Sequence, residues 1–81
     1  MFDFQKKIEI LRSYESLCFT LCVSLITEEQ AACKTAEQVL IRLFGDRAFW
    51  QANEIERPPY ILRICTRECL KWKQINLMQT S

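Results

Sequence analysis

Apolar residues recur at helical intervals from the start of the chain. Between Phe4 and Ile26, the positions Ile8, Leu11, Tyr14 or Glu15, Cys18, Leu21 or Cys22, and Leu25 fall three or four residues apart, the spacing that gathers side chains on one helix face. This predicts one amphipathic helix over residues 4–26, almost wholly apolar at its end, "LCFTLCVSLI" (Leu17–Ile26). Thr27 followed by Gln30 matches a capping box, in which the hydroxyl and amide side chains reciprocally satisfy free backbone donors at a helix start. A second helix is therefore predicted from there to about Phe44, with Ala32, Ala36, Val39, Leu40 and Leu43 on its buried stripe. Gly45 suits a left-handed residue just past its end. The stretch "DRAFWQANEIERPP" (Asp46–Pro59) reads as a connection with a short helical turn around Phe49 and Trp50, long enough to carry a role. Pro58 stops what precedes it, and Pro59 fits the first position of a last helix running to about Leu77.

With 81 residues, one Gly and two Pro, the chain has room for one domain and too few turn residues for an all-β fold. The expected architecture is all-α, a compact bundle of three to four helices. The net charge of +1 demands no acidic partner for the molecule as a whole. The last third is nevertheless basic, with Arg57, Arg63, Arg67, Lys71 and Lys73 against Glu68 alone. The apolar run Leu17–Ile26, followed by "AAC", imitates a targeting signal, but it is too short to span a bilayer. Asp3, Glu9 and Glu15 also oppose the positive leader such a signal requires. A soluble cytoplasmic protein with no membrane partner is expected, where thiols stay reduced.

Five cysteines and no histidine limit the chemistry. Cys18 and Cys22, and likewise Cys65 and Cys69, lie four residues apart, so each pair shares one side of its helix. If those helices pack together, four sulfurs meet, and a tetrahedral all-cysteine zinc site is physically possible. Against it stand the absence of the usual Cys-x2-Cys turn and of any histidine. The paired Cys-x3-Cys motifs also resemble the disulfide-linked hairpins of small mitochondrial intermembrane-space chaperones, although the pairs here are much further apart in sequence. The simplest reading is that all five are small buried apolar residues, with no metal and no cofactor. Without a histidine base or a Gly-rich phosphate loop, the chain is not read as an enzyme. Glu28, Glu29 and Glu37 are read as a helix start and a solvated face.

Arg63, Arg67 and Lys71 recur every four residues and align along one edge of the last helix, while Ile61, Leu62, Ile64, Cys65, Cys69 and Trp72 supply its apolar side. Such a row is either a solvated edge snorkelling over the core or a phosphate-contacting edge. Phe49, Trp50, Tyr60 and Trp72 favour the second, as stacking surfaces for unpaired bases.

"AACKTAEQVLIRLF" (Ala31–Phe44) followed by "RPPYILRICTRECLKW" (Arg57–Trp72) resembles region 2 of the extracytoplasmic-function group of bacterial sigma-70 factors, over roughly residues 14–72. The resemblance implies a compact helical domain whose second helix docks on the clamp helices of the RNA polymerase β′ subunit. Its last helix and the preceding loop would contact and help open the promoter −10 element. Lys34, Glu37, Gln38, Ile41 and Arg42 then lie on the polymerase-facing helix, and Arg57, Tyr60, Arg63, Arg67 and Lys71 lie near DNA, Tyr60 standing where a Trp is usual. Lys34 replaces a common acidic residue, Glu37-Gln38 reverses the usual order, and Thr66-Arg67 replaces a typical Arg-Asn pair. Cys22 and Cys65 fall on small, Ala-like core positions of that family. Because the sequence lacks region 4, the expected partners are core RNA polymerase, promoter DNA and a sigma-type protein supplying region 4, as for the small co-sigma subunit of Bacillus-type bacteria. Met1 and the polar end "MQTS" favour a full chain over an excised fragment. The rival expectations are a helical protein-interaction module without DNA recognition and a disulfide- or zinc-stapled hairpin.

Overall fold

Asp3 opens the first helix: its carboxylate accepts a hydrogen bond from the Lys6 backbone N–H at 2.8 Å, satisfying a donor that has no partner within the helix. The computed structural model describes residues 3–80, with side chains through residue 75. Among them are five helices, α1 (Phe4–Ser13), α2 (Glu15–Leu25), α3 (Glu29–Phe44), α4 (Arg47–Gln51) and α5 (Arg57–Thr80), and no strand. The fold is all-α, as the hydrophobic spacing requires.

The single helix predicted over residues 4–26 is instead two. Tyr14 sits between them at φ −103°, ψ 0°, and its N–H bonds Leu11 three residues back, tightening the chain enough to redirect it. The break places the Tyr14 ring edge-on to Phe49, centroids 6.0 Å apart. It also lets α1 lie against α3, where Phe4 packs edge-on against Phe44 at 5.4 Å.

The predicted capping box at Thr27 does not form: α3 begins at Glu29, its cap is Glu28, and no side chain bonds the free donors there. Thr27 is one residue out of register for the role. The box occurs at Asn53 and Glu56, whose side chains each accept the other's backbone N–H at 2.9 and 3.1 Å. This capped turn leads into α5, which starts at Arg57 rather than Pro59. Pro58 and Pro59 are both accommodated because first-turn donors have no intrahelical acceptor. Gly45 is not left-handed either: at φ −97°, ψ 8° it continues a tight turn in which Gly45 and Asp46 donate to Arg42 and Leu43.

The core lies where α2, α3 and α5 pack on one another. Cys18, Cys22 and Ile26 from α2 and its end, Val39 and Leu43 from α3, and Ile61 and Cys65 from α5 have no exposure. Phe49 of α4 joins them, fully buried, and a side chain of that size contributes roughly 1.5–3 kcal/mol on burial. A five-residue helix has little stability of its own. Asp46, bonded to the N–H groups of Ala48 and Phe49, and the buried ring hold α4 in place. The molecule measures 47 × 19 × 19 Å, its length set by α5, which at about 1.5 Å per residue spans most of the long axis.

Candidate functional site

The outer face of α3 carries Lys34, Glu37, Gln38 and Ile41, all exposed, because Ala32, Thr35, Ala36, Val39 and Leu43 take the inner stripe. Ile41, at 74% exposure, is the apolar centre of that otherwise polar face. Arg42 stands at its edge and turns towards α5, where its guanidinium is 3.3 Å from Glu68. Lys71 approaches the same Glu68 oxygen at 3.4 Å. One carboxylate thus ties a residue of the expected polymerase face to a residue of the expected DNA face.

On α5, Arg63 and Arg67 are exposed, and neither forms an ion pair with another described residue. With Lys71 they make the row of cations expected from their spacing. The two remaining expected DNA contacts are placed differently. Arg57 is 6% exposed, its Nε–H donates to the Phe49 carbonyl at 3.4 Å, and its guanidinium lies over the rings of Phe49 and Trp50 at 5.3 and 5.6 Å. It anchors α4 to the start of α5, and that burial removes it from a DNA-facing surface. Tyr60 is half-buried, and its hydroxyl donates to Asp46. This bond holds the phenol above its ordinary value, because the neighbouring carboxylate disfavours a phenolate.

The aromatic side chains do not form the open stacking surface that was expected. Phe49 is wholly inside. Trp50 is half-buried, donates its indole N–H to the Phe44 carbonyl at 3.0 Å, and lies beneath Lys7 at 5.2 Å. Trp72 is half-buried beside Lys34 and Gln38 of α3. The surface instead offers an open cleft of about 620 Å³ between α4 and the start of α5. Ala52, Ile55, Glu56, Pro59, Tyr60 and Arg63 are among its lining residues. Ile55, 85% exposed, gives it an apolar lip, and Arg63 gives it a cation.

Four of the five cysteines are packed as expected: Cys18, Cys22, Cys65 and Cys69 are at most 1% exposed. Cys33 departs from the expectation. It is exposed on α3, 4.0 Å from the Glu37 carboxylate, because the inner stripe of α3 is already filled by its neighbours. The four buried thiols lie where α2 packs on α5, near enough to influence one another's ionisation both across the seam and along each helix. The hydrogen bond with Cys65 holds Cys18 below the ordinary thiol range. The bond with Cys65 and burial raise Cys22. Cys65 is pushed up to about 12, chiefly by its bond to Cys18, and Cys69 to about 12, chiefly by burial. Among the described residues no three His, Cys, Asp or Glu side chains converge to hold a metal ion.

Sequence reasoning did not assign the roles of Asp46 and Glu68. Asp46 was legible as a cap before a short helical turn, and Glu68 as a carboxylate three residues from Lys71. No helix among the described residues is long and apolar enough to cross a membrane. No protein-family model, curated protein or solved structure matches the chain.

Proposed function

We propose that the chain is a cytoplasmic transcription-initiation subunit of the sigma region 2 kind. In this reading the outer face of α3 docks on the β′ clamp helices of core RNA polymerase, the cation row of α5 contacts promoter −10 DNA, and a sigma-type partner supplies region 4. The observation that carries it is the adjacency of two exposed faces. An apolar point, Ile41, sits among Lys34, Glu37 and Gln38, and a row of cations, Arg63, Arg67 and Lys71, begins one salt-bridged carboxylate away. An apolar centre within a polar rim suits a protein contact, and aligned cations suit phosphates. The cleft beside Tyr60 and Arg63 has the apolar wall and adjacent charge that an unpaired base requires.

The test is co-purification of the full chain with core RNA polymerase and with a region 4-bearing partner. Binding is expected to fall at least about tenfold in Ile41→Glu, a loss of about 1.4 kcal/mol. Failure of the unsubstituted chain to bind either one rejects the proposal.

A second reading, a protein-interaction module without DNA recognition, is favoured by the burial of Arg57 and the engagement of Tyr60 with Asp46. The two are separated by crosslinking promoter DNA to the assembled complex after Arg63→Ala, Arg67→Ala and Lys71→Ala together. Loss of crosslinking with polymerase binding intact supports the first reading. Unchanged crosslinking and open-complex formation support the second.

A further inference from the structure

α5 carries a second apolar row besides the one it buries. Ile55, Pro59, Leu62, Thr66 and Leu70 follow one another at intervals of three or four residues. The turn ahead of α5 already holds a helical bond, from the Arg57 N–H to the Asn53 carbonyl, so Ile55 stands in the register of the helix. At about 100° per residue the five share roughly 80° of the helix surface, away from the sector of Ile61, Ile64, Cys65 and Cys69 in the core. Ile55, Leu62 and Leu70 are 85%, 48% and 52% exposed. No free polar group interrupts them: Pro59 has no N–H, and the Thr66 hydroxyl donates to the Leu62 carbonyl at 2.8 Å.

Arg63 and Arg67 border this row on one side, exposed and in no ion pair with another described residue. Lys73 stands exposed at its far end. The nearby carboxylates are turned to other partners, Glu56 to the Asn53 N–H and Glu68 to Arg42 and Lys71. We propose that the row docks an amphipathic helix of a partner protein, which lays aliphatic side chains on Ile55, Leu62 and Leu70 and carboxylates on Arg63 and Arg67.

The row runs about 22 Å along α5, or roughly four turns. A helix laid beside it meets every anchor through residues three and four apart. The cleft that Ile55, Pro59 and Arg63 border at the head of the row takes one apolar side chain of the partner. Charge selects this occupant over others. A second copy of the chain laid antiparallel would set Arg63 and Arg67 against their own counterparts. Phosphates alone would satisfy the arginines and leave the aliphatic row in water, and a lipid surface needs a wider apolar face than three side chains supply. Carboxylates beside aliphatic side chains meet both halves of the surface. Nothing in this contact requires the promoter reading. If Arg63 and Arg67 also hold promoter phosphates, the helix and the DNA exclude each other, which makes the row a point of control over that edge.

The probe is a synthetic helix of about three heptads with Leu at the a and d positions and Glu at e and g, a pattern whose like charges oppose self-pairing. It is titrated against the full chain beside two relatives, one with Lys at e and g and one with Ala in place of Leu. Expected is saturable binding of the acidic leucine helix, at least about tenfold tighter than either relative and weakened by salt. The amide shifts it causes in the chain are expected to centre on residues 55–73. Leu62→Gln with Leu70→Gln is expected to lower that affinity at least about tenfold, and Arg63→Gln with Arg67→Gln to abolish the preference for Glu over Lys. Both double variants alter exposed side chains, and an unchanged far-ultraviolet helical signal verifies that each is folded. Ile55→Gln, outside α5, repeats the first test without touching the helix. No binding of the acidic helix, equal binding of all three probes, or shifts centred on the α3 face would overturn the proposal, as would row variants that bind like the parent. Self-association in sedimentation that the leucine variants abolish would overturn it in favour of a second copy. Binding to phosphatidylglycerol vesicles without binding to the acidic helix would overturn it in favour of a lipid surface. None of these measurements involves polymerase or promoter DNA, so failure here leaves the promoter reading standing.

Discussion

Arg57 and the thiols of α2 and α5 show how much a side chain's behaviour depends on what is folded against it. Arg57 was legible as a cation among cations, but sequence spacing could not reveal that α4 would lay the Phe49 and Trp50 rings against its guanidinium. For Cys22, by contrast, both the periodicity and the Ala-like position that the resemblance implies pointed to burial, and burial is what the fold delivers. What remained hidden was that the four thiols would become one another's neighbours, because only tertiary packing brings residues more than forty positions apart in sequence together. That contact has a consequence for alkaline stability. Cys22, Cys65 and Cys69 are all raised, the last two to about 12, whereas unfolded thiols ionise near about 8.5. Between those values the native state holds more protons than the unfolded state, so stability falls as pH rises. Cys18, which is lowered, acts in the opposite direction but is one group against three. Urea midpoints measured under reducing conditions are therefore expected to be steady up to about pH 8 and to drop progressively above it. A flat profile to pH 11 would mean that the thiols do not share the seam.

Helices themselves were more legible than their ends. The inner stripe of α3 was read from its spacing at Ala32, Ala36, Val39 and Leu43, whereas Leu40 is half-buried and Thr35 joins the stripe instead, and the turn around Phe49 and Trp50 is α4. The break at Tyr14 was not legible, because the hydrophobic period runs through it without a Gly or Pro. The redirection accompanies the packing of Tyr14 on Phe49, which lies far along the chain. Two stretches satisfy the capping-box pattern, Thr27 to Gln30 and Asn53 to Glu56, and only the second forms the box. The difference is where the helical bonds begin, one residue too late for Thr27. Replacing Asn53 by Ala removes a side-chain acceptor that the Glu56 backbone N–H uses, and is expected to cost about 0.5–2 kcal/mol. Thr27→Ala is expected to stay within about 0.5 kcal/mol of the parent, as for exposed sites without a specific partner. Chemical denaturation of both variants checks the pair, and equal losses would contradict the assignment of the cap to Asn53. Loosening this turn also loosens the wall of the cleft that Glu56 and Tyr60 share, so an element-end substitution reaches the candidate site.

At the scale of the whole molecule, the arrangement of three packed helices leaves two exposed faces that meet at Glu68. Both faces were legible in the sequence, the α3 face with Ile41 through the resemblance to sigma region 2 and the edge of α5 with Arg63, Arg67 and Lys71 through helical spacing. It could not identify their junction, which depends on α3 and α5 lying side by side. Glu68 holds Arg42 at 3.3 Å and Lys71 at 3.4 Å, with both cations substantially exposed. Pairs of that kind contribute little to folding, about 0–1 kcal/mol, so Glu68→Gln is expected to leave the urea midpoint nearly unchanged. Its electrostatic effect is larger than its structural one. The substitution frees Lys71 and Arg42 from a shared carboxylate and adds one positive charge to the edge that already carries Arg63 and Arg67. If that edge meets phosphates, promoter affinity in the assembled complex rises. Its logarithm also falls more steeply with the logarithm of salt concentration, by about 0.7–0.9 for each additional phosphate neutralised. Polymerase binding at fixed salt is expected to change far less, because Arg42 occupies only the margin of the α3 face. Titrating the complex at several salt concentrations separates the cases. A steeper slope assigns the α5 edge to nucleic acid, whereas an unchanged slope with altered polymerase affinity assigns Arg42 and Lys71 together to a protein contact.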